Sequence, residues 1–120
     1  MEQINNTVTG MKVLTLSTNV RQLQQIASGK RKVETREIRP NTQDRYVIVD
    51  EEEAITGIIH YDAILFQSFG ASVLVKIESA KLYEITDDEG ELLFYYSSGK
   101  RHQNINIDYT LGEIIKRQGI

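Results

Sequence analysis

Residues 28–40 read SGKRKVETREIRP, and the fold turns on where this stretch stops being helix and starts being strand. Upstream, Val20, Leu23, Ile26 and Ala27 recur at helical spacing while Gln22, Gln24 and Gln25 stay on the other side, so a short helix is expected over about Asn19–Ser28. Ser17, Thr18 or Asn19 can accept its free N-terminal amides, and Gly29 supplies the left-handed C-terminal stop. From Lys32 the period changes to two. Val33, Thr35 and Glu37 point to one side, and Lys32, Glu34, Arg36 and Ile38 to the other, until Pro40 closes the strand.

Working outward, MKVLTLS before the helix reads as a first strand, with Val13 and Thr15 opposite Leu14 and Leu16. Residues 1–10 read as a tail, and 11–120 as one domain. RYVIVD predicts a further strand, YDAILFQSF a central one apolar on both faces, and SVLVKIESAKLYEI a long one with a bulge or bend near Ser79 to Lys81. The turn signals DDEG and SSGK frame ELLFYY and a strand around Gln103 to Asp108. Thr110 with Glu113 forms a capping box, and Leu111, Ile114 and Ile115 form a stripe, so the end of the chain is expected to be helical. The fold class is therefore mostly β with two or three peripheral helices, compatible with a small, partly open β-barrel.

Composition narrows the chemistry. The 120 residues include no cysteine, which removes disulfides, thiolate nucleophiles and cysteine-bound zinc. His60 and His102 lack metal-motif spacing, there is no phosphate-binding glycine loop, and no cofactor is implied. No apolar run reaches bilayer length and no secretion signal opens the chain, so a cytoplasmic location is expected. The net charge is −3, yet between Arg21 and Arg45 seven basic residues face three acidic ones. Acid gathers at Asp50–Glu53 and Asp87–Glu91, which read as solvated turns.

Glu34 and Arg36 stand two apart on a strand and so share a face, their Cα atoms about 6.5 Å apart. A carboxylate accepts and a guanidinium offers a planar fork of donors, a combination that reads a polar ligand from both sides. The pair also suits mutual neutralisation at a sheet edge, with Lys30 to Lys32 as solvated surface.

The stretch LTLSTNVRQLQQIASGKRKVETREIRP resembles the ASCH domain family of the PUA-like superfamily, in which a short helix ends in Gly and is followed by a basic pair and a strand carrying Glu, a spacer and Arg. Gly29, Lys30, Arg31, Val33, Glu34 and Arg36 fall on that pattern. The resemblance implies a PUA-like barrel and an RNA- or nucleotide-binding cleft lined by Lys30, Arg31, Glu34 and Arg36, with RNA, a nucleotide or a nucleoside as partner. Among the stacking candidates Tyr46, Tyr61, Tyr95 and Tyr96, Tyr61 and Tyr95 join the ligand-binding set. Some members resemble hydrolases that deacylate a modified cytidine, using a Lys after the Gly and a nearby Thr and Glu. Here Arg31 stands in the place of that Lys and Glu34 in that of the Thr, and arginine does not act as a base. No catalytic residue is therefore assigned. A third expectation is a protein-interaction module working through the hairpin at 82–108, which an apolar patch there would favour.

Overall fold

The computed structural model describes residues 10–120. Of the expected tail, all but Gly10 lies outside the described residues. In chain order the elements are β1 (Val13–Ser17), α1 (Val20–Ala27), β2 (Val33–Glu37), a 3-10 turn (Gln43–Arg45), β3 (Val47–Val49), β4 (Ile55–Ile58), β5 (Ala63–Ser68), β6 (Ala71–Glu84), β7 (Phe94–Ser97), β8 (Lys100–Gln103) and β9 (Ile105–Gln118). The described chain is mostly β with one α-helix.

The expected second helix is a correction. Residues 105–118 form one strand of 14 residues, with Ile107, Tyr109 and Leu111 buried at a spacing of two. That alternation runs straight through Thr110, so the capping box has no helix to cap. Two or three helices thus reduce to α1 and the 3-10 turn.

α1 forms as its sequence dictates. The Asn19 side chain accepts from the Gln22 amide, Ser28 N–H donates to Gln24 O, and Gly29 takes φ +80°, a conformation that other residues adopt at a cost. Leu23, Ile26 and Ala27 are its buried stripe.

Five strands hydrogen-bond in the order β1-β5-β6-β9-β2, with β3-β4 and β7-β8 as separate hairpins. The described chain divides into two compact units. The first takes the described residues as far as Val33, with His60–Ser79 and Thr110–Ile120, and the second Glu34–Ile59 and Ala80–Tyr109. β6 is assigned as one strand from Ala71 to Glu84, and the division falls between Ser79 and Ala80, inside the stretch where a bulge or bend is expected.

In the first unit β5 is central, parallel to β1 (Val13↔Ala63 to Ser17↔Gln67) and antiparallel to β6 (Ile64↔Val75, Phe66↔Val73). Its residues 63–66 are all buried, as a strand apolar on both faces requires. One face gathers Ala63, Leu65 and Leu74, against which Met11 and Val13 pack.

The second unit is built from β2 from Glu34 onward, the two hairpins, residues 80–84 of β6 and residues 105–109 of β9. Its buried apolar residues are Ile38, Tyr46, Val47, Ile107 and Tyr109. The β3–β4 hairpin closes on Asp50, whose carboxylate accepts the Glu52 and Ala54 amides, and Asp87 holds the turn before β7 in the same way. Both acidic runs are thus turns.

Candidate functional site

The alternation read from KVETREI sets the site. Along β2, Glu34 is 5% exposed, Arg36 partly buried and, just beyond the strand, Ile38 buried, while Val33, Thr35 and Glu37 are exposed. Arg36 Nε donates to Glu34 Oε2 at 2.8 Å. An isolated carboxylate at such a position costs roughly several kcal/mol of lost hydration, and the Arg36 guanidinium helps to offset that cost. The Arg36 side chain remains 26% exposed and its charge can be reached from solvent.

The other face of β2 is fixed by hydrogen bonds. Thr35 Oγ1 donates to Asp108 Oδ1 on β9, which also accepts from the Tyr83 hydroxyl at 3.3 Å. Ile38 N–H donates to Ile105 O beyond the strand end. With its outward side tied in this way, β2 presents Glu34 and Arg36 in a defined register.

At the C-terminal end of β2, Arg39 Nε donates to Glu37 Oε1 at 3.1 Å. That hydrogen bond is the main cause raising the Arg39 pKa above its usual value, with further support from Tyr95. The guanidinium lies 4.1 Å from the centroid of the Tyr95 ring, and Tyr95 stacks on His102 at 5.3 Å. The stack follows from register, because Tyr95 and His102 are direct partners across β7 and β8. Beside it lies a cavity of about 140 Å³ bounded by Glu37, Ile38, Arg39, Ile85, Ile105 and Asn104, whose buried Oδ1 has no hydrogen-bond partner.

The residues singled out by sequence separate into two groups. Glu34, Arg36 and Tyr95 belong to the second unit, and Lys30, Arg31 and Tyr61 to the first. The structure joins Glu34 to Arg36 directly. The backbone amides of Lys30 and Arg31 both donate to Gln25 O and so finish α1; the Lys30 side chain is exposed and that of Arg31 partly buried. Lys12 Nζ lies 5.4 Å from the centroid of the half-buried Tyr61 ring. Tyr46 is core, tilted against Tyr109 at 6.5 Å, and so is not open for stacking. Tyr95 is engaged by Arg39 and His102, while Tyr96 is 75% exposed.

His60 is hydrogen-bonded to Asp62, and no cluster of three or more His, Cys, Asp or Glu suited to a metal occurs among the described residues. The Asp62 carboxyl is held below its usual pKa, first by the Lys12 amide donating at 2.8 Å and then by His60. No helix is long and apolar enough to cross a membrane among the described residues.

Two features escape motif reading. One is charge by unit: among the described residues the first carries eight Lys and Arg against three Asp and Glu, a net +5, and the second six against thirteen, a net −7. The other is a cavity of about 560 Å³ in the first unit, at the β5–β6 turn. The charge partition can be counted from sequence once the division is known. The cavity has no sequence signal, since it joins residues from 17 to 118. No protein-family model matches the chain, and comparison with curated proteins and with solved structures finds no match.

Proposed function

We propose that this protein binds RNA or a nucleotide through the Glu34–Arg36 pair of β2, as a PUA-like, partly open barrel of the ASCH kind. The observation that carries this reading is the placement of an ion pair on the buried face of a strand, with the acid 5% exposed and its guanidinium still reachable. Such a pair is a costly way to stabilise a fold. It is an effective way to recognise a polar ligand, because Glu34 accepts from base N–H groups while Arg36 donates to a base edge or phosphate. The open ring of Tyr96, in the same unit, offers a stacking surface.

The test is a binding survey with short single-stranded RNAs and nucleosides at two salt concentrations, comparing wild type with Arg36→Ala and Glu34→Ala. Loss of binding in both variants is expected; binding untouched by either overturns the reading. Incubation with an acetylated cytidine adds a second readout, in which turnover abolished by Lys30→Ala or Lys32→Ala would make the protein a hydrolase instead.

A second reading is favoured by one observation. Leu92, Leu93, Phe94 and Tyr96 are all exposed at the β7–β8 hairpin, next to Asp87, Asp88, Glu89 and Glu91. An apolar ribbon beside a carboxylate cluster suits a basic, amphipathic protein segment. Cross-linking to a lysine-rich peptide that is lost in Phe94→Ser/Tyr96→Ser, with RNA binding absent, would select this alternative.

A further inference from the structure

Phe69 sits where a phenylalanine is costly twice over. Between β5 and β6, whose last pair is Ser68↔Ala71, the turn consists of Phe69 and Gly70 alone, at φ +46° and φ +86°. Asn, Asp or Gly is the usual first residue of such a turn, because a bulky side chain strains the left-handed backbone. The ring is also fully exposed, so packing within the protein does not offset that strain. Strain of this kind points to use at that position.

The ring stands at the cavity of about 560 Å³ in the first unit. Leu65 and Leu74 give the cavity an apolar floor, and Ser17, Gln67 and Ser72 line it with neutral hydrogen-bonding groups. Ser68 also lines it, 5% exposed, with an Oγ that is buried and has no hydrogen-bond partner. Among the described residues Lys116 is the one charged member of the lining and no carboxylate lines it, and the unit around it is net positive. Thr18, two residues before the first turn of α1, brings the positive end of that helix to the same wall.

From these features we infer that the cavity is a second binding site, for a small organic anion with a planar ring: the ring lies between Phe69 and the leucine floor, and the anionic group meets Lys116. The volume matches that of ordinary small-molecule sites. A nucleoside monophosphate and an aryl carboxylate share this chemistry. The site is independent of the Glu34–Arg36 pair, which belongs to the other unit.

The experiment is an amide-resolved NMR titration of the full chain with the four nucleoside monophosphates and, separately, indole-3-acetate. Saturable shifts at Ser17, Gln67 and Ser72 are expected with one of the two classes, and the class that binds identifies the source. Phe69→Asn removes the ring while suiting the turn better, so it should melt no lower than wild type yet bind about tenfold more weakly. Lys116→Ala should weaken binding by a similar factor, whereas Glu34→Leu/Arg36→Met should bind as wild type does. Three results each overturn the inference: no saturable shift with any probe up to about 10 mM, unchanged affinity in Phe69→Asn or Lys116→Ala, or loss of binding in the β2 double variant.

Discussion

The two units use their interiors differently. Among the described residues the first buries thirteen apolar side chains, with Leu16, Leu23, Ile64, Phe66 and Val73 at 0% exposure, and its one buried polar side chain is Ser68. The second buries five apolar side chains and encloses the charged Glu34 with them. Hydrophobic burial contributes about 1.5–3 kcal/mol per large side chain, so the first unit is held by packing. The second leans more on directed polar contacts, at Arg36–Glu34, Thr35–Asp108 and Tyr83–Asp108. Polar contacts stabilise less, but they fix orientation, which a recognition surface needs.

If that contrast is right, the largest effect belongs to Phe66→Ala, which empties the centre of β5 and should cost about 3–5 kcal/mol in urea unfolding. A cost under about 1 kcal/mol would show that the first unit is not the packed one. Next comes Glu34→Ala, which leaves Arg36 partly buried without its acid and should cost about 2–3 kcal/mol. Glu34→Leu/Arg36→Met should recover most of that stability while abolishing RNA binding at β2; a double variant no more stable than Glu34→Ala would make the pair a structural support. Asp108→Ala removes the acceptor shared by Thr35 and Tyr83 and should cost about 1 kcal/mol, read as a shift in urea midpoint.

The smallest effect is expected at Asp62, an exposed polar contact of the first unit. Its carboxyl is held low in the folded state, so its contribution is fully present above the unfolded carboxylate pKa of about 3.9 and is lost as pH falls through the lower folded value. The stability difference between wild type and Asp62→Asn, measured by urea at pH 6 and stepwise downwards, should therefore shrink below about pH 4. A difference that widened in acid would reverse the sign of the linkage.

What the sequence made legible was local. The Asn19 cap, the Gly29 stop and the switch to alternation at Lys32 are each set within a few residues, and they placed α1, β2 and the shared face of Glu34 and Arg36 where the structure has them. The C-terminal strand reads locally as a helix because Thr110 and Glu113 imitate a capping box and Leu111, Ile114 and Ile115 fit a helical stripe as well as a sheet. Gly112 argued against a helix interior, but the deciding fact is tertiary: β6, itself 14 residues long, has backbone groups that only a long neighbour can satisfy. β4 was missed for a similar reason, since ITGI has little strand signal without β3 beside it. The parallel pairing of β1 with β5 depends on contacts some fifty positions apart, which no local pattern reveals.

The strand order also governs the timing of assembly on the ribosome. β2 is complete once Glu37 has been made, yet among the described residues its one neighbour in the sheet is β9, which begins at Ile105. Throughout most of translation, then, the glutamate and arginine of β2 stay hydrated, and their enclosure waits for nearly the last segment to emerge. A nascent chain halted before Ile105 would carry every other strand of the sheet while lacking the recognition surface.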